Sequence, residues 1–260
     1  MILDDIAAYA EQRVKYAEKK RPLEDVRRSA LELPKGTFPF TRRIGQAGLS
    51  FICEVKKASP SRGMISEDFP YVHIAREYEE SGADCISCLT EPKWFLGSDD
   101  IFEEIRKAVS IPLLRKDFIV SSYQLYESKC MGADAILLIC ALLSDEILKK
   151  YLQTCRTLGL SALVEAHDAD EIRKAAAAGA EMIGVNNRDL KDFSVDTGNA
   201  GKLAENIPGG SLFVAESGIM SAEDVKTMRE AGADAVLIGE AMMRAADKKA
   251  EMEKMRSAVR

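Results

Sequence analysis

The sequence predicts an α/β fold: a single (β/α)8 TIM barrel with an N-terminal helical extension. Three observations predict it. Gly-Ala-Asp or Gly-Ala-Glu recurs at Gly82, Gly132, Gly179 and Gly232, each time leading into an apolar run. The period is roughly 50 residues, enough for two βα units. Eight apolar runs of strand length alternate with helical segments, which implies a parallel sheet, and that many strands favour closure. A doubly wound open sheet is the competitor, but it usually has fewer strands and lacks four evenly spaced copies of one motif.

The elements follow in order. Residues 1–48 precede the first strand and contain an amphipathic helix (Ile2, Ile6, Tyr9, Val14), expected to pack on the barrel. The predicted strands are Phe51–Val55, Cys85–Leu89, Ile111–Arg115, Ala135–Ile139, Ser161–Glu165, Met182–Val185, Leu212–Ala215 and Ala235–Ile238. Each repeated glycine is expected in the left-handed conformation that closes a helix. Ser98 before Asp99 and Asp100 reads as a helix start. Phe102, Ile105 and Val109 follow at helical spacing, and Pro112 lies just past the end. Asp168 with Glu171, and Ser221 with Asp224, have capping-box spacing. No linker interrupts the pattern, so residues 1–260 read as one domain.

Composition narrows the function. The chain has 260 residues, 47% hydrophobic and 30% charged, which supports a sizeable core. The net charge of −6 and the lack of a basic tail argue against nucleic acid as partner. No apolar run approaches the ~20 residues of a membrane span. Asp4, Asp5 and Glu11 among the first apolar residues do not fit a signal peptide, so the cytoplasm is the expected compartment. Cys85 and Cys88 form a CxxC pair, but residues three apart on a strand point to opposite faces. Buried thiols are expected there rather than a metal or redox role.

Strand parity carries the chemistry. In the first strand Phe51, Cys53 and Val55 form an apolar face suited to meet helices, while Ile52, Glu54 and Lys56 share the other face. Leu114 with Lys116, Leu163 with Glu165, and Gly184 with Asn186 and Arg188 repeat this on the third, fifth and sixth strands. Inward charges are costly unless paired or functional, and these gather at the strand ends, where barrel enzymes place their sites. Glu54–Lys56 alone would pass for a structural ion pair; charges at equivalent heights on four strands are harder to explain so. Ser217-Gly218 after the seventh strand and Gly239-Glu240 after the eighth add small residues where a barrel binds phosphate.

Several stretches resemble the indole-3-glycerol phosphate synthase family: Glu54-Val55-Lys56-Lys57-Ala58-Ser59-Pro60-Ser61, Leu114-Arg115-Lys116-Asp117-Phe118, Val164-Glu165, Val185-Asn186-Asn187-Arg188-Asp189-Leu190, Ala215-Glu216-Ser217-Gly218-Ile219 and Leu237-Ile238-Gly239-Glu240. The resemblance covers essentially the whole chain. It implies cyclisation of 1-(2-carboxyphenylamino)-1-deoxyribulose 5-phosphate to indole-3-glycerol phosphate, with loss of carbon dioxide and water, in tryptophan biosynthesis. It implies no cofactor, a small phosphorylated aromatic amino-sugar as ligand, and other tryptophan-pathway enzymes as candidate partners.

The resemblance also implies roles. Lys116 resembles the general acid that protonates the carbonyl. Glu165 and Lys56 resemble the groups that manage protons during dehydration, and which of them carries the final proton stays open. Glu54 would orient Lys56, Asn186 would hold the reacting hydroxyl, and Glu216 would be a further polar member. Arg188 would pair with the substrate carboxylate. Ser217, Gly218, Gly239 and Glu240 match the phosphate loops, with Lys56 adding charge. Ser59, Pro60, Phe95, Phe118, Leu137 and Leu190 match the walls around the aromatic ring. A lysine beside other cations has a lowered pKa, which is expected to sharpen Lys116 as an acid. Glu240 stands where some relatives have serine, so an anion there would meet backbone N–H rather than its side chain.

Three other readings remain at this point. Another phosphosugar barrel, such as phosphoribosylanthranilate isomerase, would share the phosphate loops but is expected to lack the Glu-x-Lys and Asn-Asn-Arg set. A Schiff-base aldolase would use Lys116 or Lys56 as nucleophile. A non-catalytic barrel would bind without turnover.

Overall fold

The structure is a computed structural model that describes residues 2–188, 196 and 198–259. Its centre is a closed barrel of β1 (Ser50–Val55), β2 (Cys85–Leu89), β3 (Leu113–Lys116), β4 (Ala135–Ile139), β5 (Ser161–Ala166), β6 (Met182–Asn186), β7 (Leu212–Glu216) and β8 (Ala235–Ile238). All neighbours are parallel, and β8 closes onto β1 with Ser50 opposite Ala235. The helices are α1 (Ile2–Lys20), α2 (Leu23–Glu32), α3 (Pro39–Ile44), α4 (Tyr71–Glu80), α5 (Asp99–Ala108), α6 (Ser122–Cys130), α7 (Asp145–Leu158), α8 (Ala169–Ala178), α9 (Asn199–Leu203), α10 (Ala222–Glu230), α11 (Glu240–Arg244) and α12 (Lys248–Ser257). No described helix is long and apolar enough to cross a membrane.

Alternation along the strands divides the core in two. Phe51, Cys53, Val55, Ile183 and Val185 pack into the layer between strands and helices. Ile52, Leu114, Leu137, Leu163 and Leu237 fill the barrel interior. The CxxC thiols split in the same way, Cys85 inward and Cys88 outward.

Local chemistry sets the element ends. Gly82, Gly132, Gly179 and Gly232 all take positive φ, between 82° and 92°, where a side chain would be strained. Ser98 caps α5, accepting from the Ile101 N–H, and Ser221 with Asp224 forms the expected capping box of α10. At α8 the expectation is half met. Asp168 accepts from the Glu171 N–H, but the Glu171 side chain turns to the backbone N–H of His167 instead of that of Asp168. The third strand begins at Leu113 rather than Ile111, because Pro112 has no N–H to give the ladder. Other strands run further than predicted: β3 includes Lys116, β6 includes Asn186 and β7 includes Glu216. Those polar side chains therefore stand on paired backbone, not on loops.

The segment before β1 closes both ends of the barrel. At the bottom, Phe40 and Ile44 of α3 join the interior cluster. Thr41 donates its N–H and hydroxyl to Ser161 Oγ at the start of β5 (3.1 and 2.8 Å). At the top, Leu3, Ile6 and Ala10 of α1 reach that same interior, and the Tyr9 and Trp94 rings meet edge-on at 5.7 Å. Arg13 then grips Asp117 with two bonds, 2.6 and 3.1 Å long. Asp117 also accepts from Thr90 Oγ1 and the Phe118 N–H, with the buried Arg115 guanidinium 3.7 Å away. Asp117 is wholly buried, so its removal would strand Arg13 without its partner. We expect Asp117→Ala to lower stability by about 3 kcal/mol, read as a shifted urea midpoint; an unchanged midpoint would show that this anchor contributes nothing.

Candidate active site

The C-terminal ends of the strands surround a cavity of about 330 Å³. Its floor is polar. Glu54 from β1, Lys116 from β3 and Glu165 from β5 point into it, joined by Lys56 just beyond β1. The Lys116 Nζ lies 2.5 Å from Glu216 Oε2, 3.8 Å from Glu165 Oε2 and 3.9 Å from Glu54 Oε2. Lys56 donates to Glu54 Oε1. Two ammonium groups thus serve three buried carboxylates.

That ratio decides the protonation states. Burial disfavours the Lys116 ammonium, but Glu216, Glu54 and Glu165 outweigh it and raise its pKa. The expected lowering by neighbouring cations is therefore corrected: carboxylates are what surround Lys116, and it rests firmly protonated. The excess negative charge falls on Glu216. Its burial, then the nearby Glu165 and Glu54, push its pKa up to about 7 despite Lys116. Its Oε1 is buried without a hydrogen-bond partner among the described residues. That atom lies against Gly184, where a Cβ would come within 2.1 Å of it, so only glycine leaves room for this carboxylate. Glu216 does not line the cavity; it lies beneath Lys116.

Glu165 behaves oppositely. Burial would raise its pKa, yet His167, Lys116 and Asn186 bring it down to about 2. It is a carboxylate throughout the neutral range.

The walls differ in character. Phe95 and Phe118 stand 6.0 Å apart between ring centroids, tilted by 40°, with Leu137, Ser59 and Pro60 on the same cavity. Ile2, Leu3 and Ile6 of α1 complete the apolar part. On the other side lie Arg188, Ser217, Gly218, Gly239 and Glu240. Ser217 and Gly218 are both left-handed (φ 66° and 75°), a turn that costs the serine about 1 kcal/mol. A Cβ on Gly239 would sit 2.7 Å from Glu54 Oε1 and 3.0 Å from Lys56 Nζ, so glycine lets this loop close on that pair. Glu240 turns its carboxylate to Arg62 (3.2 Å) and Arg244 (3.0 Å). Burial, then the charge of Arg62, lowers the Arg188 pKa, which marks this side of the cavity as able to welcome an anion.

Leu190 lies outside the described residues. Every other predicted site residue lines the cavity except Glu216. A family model described as indole-3-glycerol phosphate synthase matches residues 3–255. The chain belongs to the indole-3-glycerol phosphate synthase family. A relative of that name from Ruminiclostridium cellulolyticum is 51% identical over 257 residues, covering 98% of this chain and 99% of its own. Another of that name, from Endomicrobium trichonymphae, is 51% identical over 245 residues, covering 94% and 95%. Among solved structures, a thiamine phosphate pyrophosphorylase from Pyrococcus furiosus has a TM-score of 0.60 at 16% identity, covering 84% of this chain and 96% of its own. A 3-hexulose-6-phosphate synthase from Salmonella typhimurium has a TM-score of 0.65 at 15% identity, covering 81% and 98%. These two share the barrel fold.

Three supporting residues escaped the sequence reading. Glu91 is fully buried and accepts the backbone N–H groups of Lys93, Trp94 and Phe95, fixing the loop that presents Phe95. Asn187 donates to the Ser217 carbonyl and accepts from the Ala200 N–H, bracing the loops after β6 and β7. His167 lies between Glu165 and Glu171. Only Asn187 stood within a motif stretch; nothing in the spacing marks the other two.

Proposed function

We propose that this cavity closes an indole ring, with Lys116 as acid and Glu165 as proton acceptor. The chain's family makes it a carboxy-lyase of tryptophan biosynthesis, an indole-3-glycerol phosphate synthase in activity. The aromatic ring of the substrate lies between Phe95 and Phe118. Its carboxylate pairs with Arg188. Its phosphate rests in the loops after β7 and β8, at Ser217, Gly218 and Gly239, beside Lys56, and Glu240 offers backbone only. Lys116 protonates the ketone oxygen as the ring carbon attacks. Carbon dioxide then leaves, and Glu165 with Lys56 removes and returns protons as water departs. Glu54 holds Lys56, Asn186 holds the hydroxyl that leaves, and Glu216 holds Lys116. A dianionic handle remote from the reacting carbons contributes binding energy to this alignment. The cytoplasm is the proposed compartment, and other tryptophan-pathway enzymes are the proposed protein partners.

The observation that carries this reading is convergence. Lys116 on β3, Glu165 on β5 and Lys56 just past β1 lie far apart in sequence, and one cavity holds them beside paired aromatic rings. The test is to mix purified protein with the carboxyphenylamino-deoxyribulose phosphate and follow indole fluorescence. Product without covalent trapping by borohydride is expected. Absence of product overturns the reading, and a borohydride adduct on Lys116 or Lys56 replaces the acid with a Schiff-base nucleophile.

A further inference from the structure

His167 is not part of any role assigned above, yet its ring lies between two carboxylates: it hydrogen-bonds one through Nδ1, while its buried Nε2 makes no hydrogen bond among the described residues and meets the other only at ion-pair distance. Nδ1 lies 3.0 Å from Glu171 Oε2, and Nε2 lies 3.4 Å from Glu165 Oε1. A neutral imidazole has one N–H and one lone pair, so one of these carboxylates would face a lone pair. Both contacts are favourable only when both nitrogens carry protons. Glu171 Oε2 also accepts the backbone N–H of His167 at 2.8 Å, which ties ring and main chain to one atom. Glu171 itself stands in the first turn of α8, where the helix field favours its charge.

Glu165 is correspondingly shared. One oxygen, Oε1, faces His167, and the other, Oε2, faces Lys116 at 3.8 Å. We propose that His167 is a positioning residue for the reaction: as an imidazolium anchored by Glu171, it pairs by charge with one oxygen of Glu165 and keeps that carboxylate ionised, with the other oxygen left to take a substrate proton. This rests on the proton-accepting role given to Glu165 above. The cation also helps balance the three carboxylates Glu54, Glu165 and Glu216 against Lys56 and Lys116.

The other charged and titratable groups around this pair come from every adjoining element. Lys116 comes from β3, Glu54 from β1 and Glu216 from β7, with Lys56 just past β1 and Arg188 just past β6. The Cys140 thiol follows β4, and burial and Glu171 raise its pKa to about 12, so it stays neutral. Lys174 of α8 is turned away and donates to the Cys140 and Leu143 carbonyls. Among these, only Lys116 offers Glu165 a second cation at ion-pair distance. The His167 pKa agrees: burial would lower it, but Glu165 and Glu171 raise it to about 10.

The test has two arms. The chain has two histidines, so His73→Gln leaves His167 as the sole imidazole in a nitrogen NMR titration. The ring is expected to stay doubly protonated above pH 8, and Glu171→Gln is expected to bring its titration down by at least one pH unit. In the second arm, His167→Gln and Glu171→Gln are assayed across pH. The acid limb of kcat is expected to move upward by at least one unit in His167→Gln and by less in Glu171→Gln, with KM within threefold. A merely structural histidine would leave the pH profile in place. A singly protonated ring at pH 7, or an unmoved acid limb in a folded His167→Gln protein, overturns the proposal. Should His167→Gln not fold, the ring titration and Glu171→Gln decide alone. The NMR arm needs no substrate, so the two failures are distinguishable: a singly protonated ring overturns this proposal whatever the protein forms, whereas a doubly protonated ring in a protein that forms no indole sinks the functional reading on which the proposal rests.

Discussion

Lys116→Ala is expected to lower kcat by about 10³-fold or more, within the span that a positioned acid contributes, while far-UV circular dichroism stays that of the native fold. Lys116 stands on the paired end of β3, opposite Leu89, so truncation moves no backbone. What changes is charge. Glu216, Glu54 and Glu165 lose their common cation, and Glu216, already raised to about 7, goes fully neutral at pH 7. That relief keeps the barrel folded but leaves no ammonium where the ketone oxygen must be protonated. Lys116→Arg separates charge from acidity. A guanidinium restores the ion pairs but does not give up its proton at accessible pH, so this variant is expected to recover stability and not turnover. A Lys116→Ala rate within tenfold of wild type would remove the acid assignment, and an active Lys116→Arg would reduce the role to electrostatic support.

The sequence made the barrel and the site legible to different depths. Strand positions were readable because alternation has a period of two and needs only neighbours: Ile52, Glu54 and Lys56 share a face in the sequence as they do in the fold. Glycine ends were readable because a positive φ excludes most other residues. Pairings across the barrel were not readable. Glu216 was expected merely as a polar member, yet it is the nearest partner of Lys116, and that contact joins residues 100 positions apart. The direction of the Lys116 shift was misjudged for the same reason: the sign depends on which charges lie closest in space, and three of them are carboxylates. Glu91 and His167 act on backbone N–H groups or on another side chain, and no periodicity encodes such contacts. Asp168 with Glu171 shows the limit of a motif. The spacing of a capping box is present, but Glu171 has a stronger claim on it in His167 and takes that instead.

Glu165→Gln is the second large effect, and its pH dependence carries its own sign. The substitution is nearly isosteric, so packing in β5 is retained, but the acceptor for a substrate proton becomes a neutral amide. A kcat fall of about 10² to 10³-fold is expected, with KM little changed because the ring walls and phosphate loops lie elsewhere. The folded-state pKa of Glu165 is depressed to about 2 from an ordinary 4.5. Stability from its ionised form is therefore fully present above about pH 4.5 and is lost as pH falls toward 2. The wild-type protein should lose this contribution in acid, whereas Glu165→Gln, which never had it, should show a flatter stability profile between those limits. Glu165 does not titrate from pH 6 to 8, so the activity ratio of variant to wild type should change there only as far as the lost charge lowers the Glu216 pKa. Wild-type turnover in Glu165→Gln would end its role as proton acceptor. A ratio that swings across neutral pH would instead place the essential titration on Glu216, the carboxyl whose pKa lies in that range.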